Sequence, residues 1–276
     1  MEPSPNQSSR VTLVPFARLA RDSVFEFALT AVLLFGVVSI VRWVIGPSPI
    51  SRAIPGIQRE LAIVGVMVGF LLAGLILSPP GRASGAHTNP AISLAMWRFG
   101  VFPGAGVAPY AVAQLLGSVV GVIAAREVWG PVVAARAVNY AALQPGARWS
   151  TGGLFAGEAL GMAVIIFIVG LCLAVHRLTP FVPWVVGALV GTGIAALGTA
   201  TGGSLNPARQ FGPAVVSGVT QYLWVYLLAP MVGTEIAVWL RRAIQSRRAV
   251  LTHKLCGTLG DDHTRAPKEQ DYELAQ

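Results

Sequence analysis

The sequence predicts an all-α membrane protein with six transmembrane helices, two re-entrant half-helices and an inverted internal repeat. Three observations predict this fold: the composition, the spacing of six apolar segments, and a motif that occurs twice. Hydrophobic residues make up 54% of the 276 residues and charged residues only 12%, about half of the roughly 25% found in soluble domains. Too few polar side chains remain to cover a water-facing surface, so we expect the chain in a lipid bilayer.

Six apolar segments have the length that a membrane-spanning helix needs. About 20 helical residues cross a hydrocarbon layer of roughly 30 Å, and each segment is close to that length. Glycine is frequent within them, as at Gly65 and Gly74, and small residues let helices approach closely in a membrane. The segments are residues 24–41, 61–77, 107–125, 153–175, 181–200 and 222–240.

Two further helical segments, residues 89–99 and 206–216, are too short to span a bilayer. Each follows a stretch rich in glycine with serine or threonine, and each begins with Asn-Pro-Ala. Asn at the N-cap followed by Pro in the first turn is a favoured helix start. We therefore predict two half-helices that enter the membrane and end near its middle. The motifs are Asn89, Pro90, Ala91 and Asn206, Pro207, Ala208.

The two halves of the chain repeat each other. The segment that starts at Glu26 aligns with the segment that starts at Glu158, and the two Asn-Pro-Ala motifs lie 117 residues apart. Because each half contains three spans, the second half begins on the opposite side of the membrane, and the repeat is inverted. The predicted organisation is an N-terminal tail (1–22), a membrane domain (23–242, with repeats at about 23–130 and 150–242) and a C-terminal tail (243–276).

The basic residues predict cytoplasmic termini. In that orientation thirteen of the 20 Lys and Arg residues lie on the cytoplasmic side, which is the side they favour. The net charge of +8 is then a topology signal, and no nucleic-acid partner is predicted. Composition suggests a bacterial plasma membrane. The chain from about residue 249 is expected to be a polar, poorly ordered tail. No cofactor is expected, and the cysteines have no metal-ligand spacing.

These features together resemble the major intrinsic protein family of aquaporins and glycerol facilitators. The resemblance covers about residues 22–242 and rests on the two Asn-Pro-Ala motifs, on Ser84-Gly-Ala-His87 before the first, and on Arg209 directly after the second. It implies an aquaporin-like fold with the pore centre at the two motifs. It also implies a homotetramer and passive flow of water and small neutral solutes.

The resemblance further implies a selectivity constriction that includes Arg209. Counting back from the two Asn residues places Gly69, Ile194 and Gly203 beside it. Water-selective members usually carry a bulky aromatic residue and a His at the first two of these positions. Their absence implies a wider and less polar opening, as in the plant nodulin-like branch, suited to glycerol or similar hydroxylated solutes. Other markers are mixed, such as Gln210 in place of the Asp of glycerol facilitators, so the solute stays open.

Physical arguments point to a pore at the same residues. Each half-helix N-terminus carries about half a positive charge, and the Asn amide that caps it can donate a hydrogen bond to a passing oxygen. The positive field opposes cations and protons. The irregular backbone that precedes each half-helix is tolerated at membrane depth only beside a water-filled path. Arg209, a cation in an apolar region, is expected to serve function.

Three ionisable residues within the membrane leave alternatives open. Glu26 and Glu158 are predicted to brace the re-entrant loops by accepting backbone hydrogen bonds. Their alternative role is to carry protons in a secondary transporter of a small solute, a class that shares inverted repeats. His87 is either a hydrogen-bonding member of the first loop or a gate at the cytoplasmic mouth. No enzyme is predicted, because no nucleophile–base motif occurs in the chain.

Overall fold

Ten α-helices account for nearly all the regular structure that a computed structural model describes, which covers residues 16–244 and 249–259. Parts of both predicted tails lie outside the described residues. The described part of the chain contains no β-strand, and its remaining regular structure is three short 3-10 turns. The helices are α1 (Phe16–Val44), α2 (Pro49–Ala53), α3 (Ile57–Leu77), α4 (Pro79–Ser84), α5 (Pro90–Arg98), α6 (Gly104–Trp129), α7 (Thr151–Leu173), α8 (Val182–Leu197), α9 (Pro207–Ser217) and α10 (Leu223–Ile244).

The six predicted spans correspond to α1, α3, α6, α7, α8 and α10. Each is long and apolar enough to cross a membrane, α8 when the 3-10 turn Thr179–Phe181 before it is included. The boundaries differ most at the first span, because α1 already extends to Phe16, within the predicted N-terminal tail. The half-helices α5 and α9 contain 9 and 11 residues. At 1.5 Å per residue each is roughly 15 Å long, about half of the hydrocarbon layer. The predicted fold class is confirmed.

The inverted repeat is visible in the helix pairs. In the first half α1 packs along α6, and in the second half α7 packs along α10 in the same way. Gly117 of α6 lies against the backbone of Phe27, and Gly233 of α10 lies against that of Ala159. A Cβ atom at either glycine would collide with a carbonyl oxygen of the facing helix. Equivalent positions of the two halves therefore bring their helices together by the same device.

The two halves meet where α3 crosses α8. At this crossing the backbone of Gly65 faces that of Gly191, and the backbone of Gly69 faces that of Gly187. Around the bundle, many large apolar side chains point outward, as expected for a surface that faces lipid. They include Val66, Phe70, Leu116, Leu160, Val164, Leu228 and Trp239.

The two ends of the bundle are distinct. We call the end at which α1 begins and α10 ends the tail end, and the opposite end, nearest Arg209, the arginine end. Residues 249–259 pack against the tail end, where Val250, Leu255 and Cys256 are buried. The expectation of a polar, poorly ordered tail from about residue 249 is wrong for these residues, because their apolar side chains find a site in the bundle.

Candidate functional site

The two Asn-Pro-Ala motifs meet at the centre of the bundle. Asn89 caps α5, where its Oδ1 accepts a hydrogen bond from Ala91 N at 2.9 Å, and its Nδ2 donates to Leu205 O at 3.0 Å. Asn206 caps α9 in the same way, accepting from Ala208 N at 2.9 Å and donating to Thr88 O at 2.9 Å. Each amide therefore fixes the backbone directly before the other motif.

The prolines of both motifs occupy the first turn of their half-helices. Pro90 and Pro207 are buried there, as are Ala91 and Ala208. An amide NH₂ group has two N–H donors, and the bridge to the opposite loop uses one of them. The second donor of Asn89 and of Asn206 remains for a solute, and both residues line the central cavity.

The loops before the half-helices have strained backbones. Ala86, Thr88 and Leu205 all have positive φ angles, of 52°, 44° and 52°. Left-handed conformations of residues other than glycine cost about 1–3 kcal/mol each and persist only where the surroundings impose them. Here two buried carboxylates impose them.

Glu26 of α1 holds the first loop. Its Oε1 accepts from Ser84 Oγ at 2.7 Å and from His87 N at 3.0 Å, and its Oε2 accepts from Thr88 N at 2.7 Å. Gln114 Nε2 of α6 adds a fourth hydrogen bond to Oε2 at 2.8 Å. All four donors converge on one fully buried carboxylate, an arrangement that satisfies the loop N–H groups.

Glu158 of α7 holds the second loop with the same geometry. Its Oε1 accepts from Thr201 Oγ1 at 2.7 Å and from Ser204 N at 3.1 Å, and its Oε2 accepts from Leu205 N at 2.7 Å. Both glutamates thus accept backbone N–H groups of the re-entrant loop in their own half of the chain.

Two tyrosines complete the braces, and sequence reasoning missed them in this role. The hydroxyl of Tyr110 donates to Ser84 O at 2.8 Å, and that of Tyr226 donates to Thr201 O at 2.6 Å. Both side chains are buried. A signal was present, because the two tyrosines are 116 residues apart, almost the same offset as the two Asn-Pro-Ala motifs.

A central cavity of about 300 Å³ runs past both Asn caps. Its polar lining comes from the two re-entrant loops, Gln144, Thr199 and Arg209, and most of the rest is aliphatic. No Phe, Tyr or Trp side chain lines it within the described residues. The aliphatic lining comes from several helices and includes Leu33, Val37, Leu61, Val64, Val68, Leu72, Met162, Ile165, Val186 and Val190.

Three of the four predicted constriction residues line this cavity, and Gly69 does not. Ile194, Gly203 and Arg209 face it, whereas a Cβ atom on Gly69 would lie 2.6 Å from Gly187 O in the crossing of α3 with α8. Ungapped counting from Asn89 misses the cavity face of α3 by one residue, and Val68 is the neighbour on that face. With Val68 in place of Gly69 the opening is narrower at this position, and its lining there remains aliphatic.

Arg209 extends from the first turn of α9, where its backbone N–H joins the Asn206 cap at 3.4 Å. Its guanidinium donates to Ala141 O at 2.7 Å. Ala141 belongs to the connection between α6 and α7, in which three successive residues, 139–141, have positive φ angles. This strained turn directs a carbonyl toward the cation, and the remaining guanidinium N–H groups can donate to a solute.

Gln210 holds that connection in place, a role that sequence reasoning did not assign. Its Oε1 accepts from Leu143 N at 2.9 Å and its Nε2 donates to Leu143 O at 3.0 Å. The side chain is buried, and the reciprocal pair ties the α6–α7 connection to α9 beside Arg209.

His87 lies at the tail end of the cavity with both ring nitrogens engaged. Its Nδ1 lies 3.1 Å from Ser93 Oγ, and its Nε2 lies 3.1 Å from the carbonyl oxygen of His253. A carbonyl only accepts, so Nε2 carries the proton, and in the neutral ring Nδ1 accepts from the Ser93 hydroxyl. The first loop thereby contacts the segment of residues 249–259.

The arrangement offers a line of hydrogen-bonding groups through an apolar tube. Two half-helix N-termini present partial positive charge at its centre, and residues of both re-entrant loops line it on either side. Such a path replaces the hydration of a small neutral solute and repels cations.

Comparison with known proteins agrees with this geometry. Residues 11–241 match the profile of the family described as Major intrinsic protein. Probable aquaporin AqpM of Archaeoglobus fulgidus is 37% identical over 184 residues, which cover 64% of this chain and 74% of that protein. Probable aquaporin NIP7-1 of Arabidopsis thaliana is 30% identical over 221 residues, which cover 79% of this chain and 74% of that protein.

Two further matches extend this result. Aquaporin-8 of Mus musculus is 32% identical over 67% of this chain and 71% of that protein. The X-ray structure of the aquaglyceroporin from Plasmodium falciparum shares the fold, with a TM-score of 0.67 at 23% identity over 82% of this chain and 96% of that one. The chain belongs to the major intrinsic protein family, whose members are channels for water and small solutes and not enzymes.

Proposed function

We propose that this protein is a passive channel that conducts small hydroxylated solutes such as glycerol together with water. One observation carries the proposal: the two Asn amides, fixed by reciprocal hydrogen bonds to the opposite loops, line one cavity with Arg209. A solute oxygen at the centre accepts from the amides of Asn89 and Asn206, while its own hydrogens donate to loop carbonyls. Passage is single-file or nearly so, down the solute gradient.

The aliphatic constriction supports a solute larger and less polar than water. Val68, Ile194 and Gly203 face the cavity with Arg209, so one side of the opening donates hydrogen bonds and the others are apolar. Glycerol fits this pattern, because its hydroxyls lie along one edge and its C–H groups along the other. An aromatic ring at the position of Val68 would occupy this space.

The geometry favours the channel over a proton-coupled carrier. Glu26 and Glu158 accept hydrogen bonds at both of their oxygens, and neither residue lines the central cavity. A proton carrier needs a carboxylate that meets the transport path and can bind a proton there. These two carboxylates are occupied by the loops that they hold.

The proposal extends to the setting of the channel. The tail end faces the cytoplasm, as the bias of Lys and Arg residues predicts, and the arginine end faces outward. The protein resides in the plasma membrane of a bacterium and assembles as a homotetramer with a pore in each subunit. In this orientation His87 lies at the cytoplasmic mouth.

The proposal is tested by stopped-flow light scattering of vesicles that contain the purified protein. Water and glycerol gradients are applied in parallel, with and without an uncoupler. We expect fast vesicle shrinkage, glycerol re-swelling well above that of empty vesicles, linear dependence on glycerol concentration and no effect of the uncoupler. Fast water flow without glycerol entry would reject the solute assignment, and saturable, uncoupler-sensitive flux would favour the carrier.

A pair of variants tests whether flux follows the described cavity. Val68→Trp places an indole on the cavity face of α3 and should abolish glycerol flux. Val66→Trp places the same side chain two residues earlier, at a position 59% exposed on the outer surface of the bundle, and should leave flux unchanged. Equal flux in both variants would mean that solute takes another route.

A further inference from the structure

Residues 249–259 occupy a binding site at the tail-end mouth of the cavity. Leu251 N donates to Leu173 O at the end of α7, at 3.0 Å. A Cβ atom on Gly257 would collide with the backbone of Thr179, so the chain passes closely over the connection from α7 to α8. The segment is thus attached to the second half of the bundle on one side of the mouth.

On the other side of the mouth the segment is bound to the first re-entrant loop. Leu255 N donates to Gly85 O at 3.1 Å, and His87 Nε2 donates to His253 O at 3.1 Å. The ring of His253 packs against Phe102 with centroids 5.6 Å apart. Gly85 is closely covered, since a Cβ atom there would lie 3.1 Å from the ring of His253.

Leu255 itself lines the central cavity, together with Ala86 and His87. Its side chain is 1% exposed, so its isobutyl group fills space that belongs to the path between the tail-end mouth and Asn89. Its backbone N–H also donates to Gly85 O, directly before the cavity-lining residues Ala86 and His87. A segment that only anchored the chain would pack on the outer surface and would not take this space.

We propose that residues 249–259 form an autoinhibitory plug: the tail-end mouth is closed while Leu255 is bound and open while the segment is released, so the full chain conducts, but at a reduced rate. The proposal rests on the channel function argued above. The plug is attached by a few hydrogen bonds and a small apolar contact, and such elements open locally at much lower cost than a packed helix. Its release frees the space of the Leu255 side chain and the surface of His87 for the solute without a change in the helices.

Four chains reconstituted in vesicles test the plug by stopped-flow water and glycerol flux, normalised to the amount of channel incorporated. They are the full chain, a chain that ends at residue 248, Leu255→Ala, and Leu259→Ala. Leu259 belongs to the same segment, but its side chain is 52% exposed and does not line the cavity. We expect a several-fold rise in flux for the shortened chain and for Leu255→Ala, and no change for Leu259→Ala.

Each outcome decides the proposal. If all four chains conduct equally, the plug is rejected and the channel function stands. If none conducts above empty vesicles, both are rejected. If the shortened chain fails to fold, Leu255→Ala decides alone, because it removes three carbon atoms at the mouth and keeps every backbone hydrogen bond. A fifth chain, which ends at Leu259, retains the plug and should conduct like the full chain. A rise in flux there would place the inhibition beyond residue 259.

Discussion

In the first re-entrant loop Glu26 accepts four hydrogen bonds, whereas in the second loop Glu158 accepts three. The fourth donor of the first loop is Gln114, and the residue at the matching position of the second half is Pro230. Everything else in the two braces matches, including the tyrosine that donates to the start of each loop. The repeat therefore specifies a common frame, and the differences concern what surrounds it.

The surroundings differ most at the two mouths of the cavity. At the arginine end a cation, a strained turn and Gln210 form a polar mouth. At the tail end His87 and Leu255 form a mouth that the chain itself covers. The inverted repeat therefore builds a common pore centre, whereas the two mouths are formed by residues without a counterpart in the other half, such as Arg209, or by residues outside the repeat, such as Leu255.

The largest effect is expected when one of the two buried glutamates that hold the re-entrant loops is removed. Glu26→Ala removes the acceptor of four donors: the N–H groups of His87 and Thr88, the Ser84 hydroxyl and the Gln114 amide, of which the last still donates to Ser93 Oγ. Each buried donor left unpaired costs about 1–3 kcal/mol, so we expect a loss of several kcal/mol in stability and little folded protein. Glu158→Ala should do the same but less severely, since one donor fewer loses its partner. Thermal unfolding in detergent compares the two variants.

Glu127→Ala is the matched control, because Glu127 is an exposed carboxylate in the same bundle. It should unfold like the parent protein. A Glu26→Ala protein that folds normally but no longer transports would contradict the bracing role and support the proton carrier instead.

The second effect in size is expected at the arginine end. Arg209→Val removes the cation from the constriction and should let protons or cations leak through vesicles at about ten times the parent rate or more, since each 1.4 kcal/mol of lost barrier is tenfold in rate. The fold should survive, because the guanidinium makes one hydrogen bond to the chain. Proton leak is read with an internal pH-sensitive dye.

Arg52→Val serves as the control for this change. Arg52 is an exposed arginine at the same end of the bundle, on α2, and its loss should not alter the leak. A proton leak that stays at background in Arg209→Val would indicate that the half-helix N-termini at the pore centre, and not Arg209, form the barrier to cations.

The features that the two halves share could be predicted from the sequence, because short sequence patterns indicate them. Asn followed by Pro sets a half-helix start wherever it occurs, and a repeated carboxylate among apolar residues has few partners other than loop N–H groups. The lengths of the apolar segments predicted the six spans. All of these depend on residues close together in the chain or on one clear periodicity.

The parts that could not be predicted depend on the packing of distant residues. Whether Gly69 points into the cavity depends on the rotation of α3 about its own axis, which is set by its crossing with Gly187 of α8. A shift of one residue along a helix changes this direction by 100°. The contact of Leu255 with Gly85 joins residues 170 positions apart. A polar composition around a few apolar residues predicted a disordered tail there, although those few residues fill the mouth.

A smaller effect is expected from the residue that holds the polar mouth. Gln210→Ala removes two hydrogen bonds to Leu143, each worth about 0.5–1.5 kcal/mol, and frees the connection that directs Ala141 O at Arg209. We expect a modest loss of stability and a proton leak between those of the parent and Arg209→Val. Gln210→Glu keeps the acceptor for Leu143 N but sets a buried carboxylate oxygen against Leu143 O, so it should lose at least as much stability as Gln210→Ala. Identical leak in all three proteins would mean that Arg209 positions itself without the connection.

The smallest effects should come from changes at the two tyrosines. The measurement tests whether the two changes lower the free energy of unfolding by the same amount. Tyr110→Phe and Tyr226→Phe each remove one hydroxyl that donates to a loop carbonyl, and a single hydrogen bond contributes about 0.5–1.5 kcal/mol. If the repeat builds one frame twice, the two changes in unfolding free energy should agree, even though the mouths beside them differ. A larger loss for Tyr110→Phe would have a specific meaning: the hydroxyl fixes Ser84 O directly before Gly85, whose carbonyl binds residues 249–259, so the first brace would support the covered mouth as well as its own loop. Measuring both variants with and without residues 249–276 separates these cases, because any excess that depends on the plug must disappear when the plug is removed.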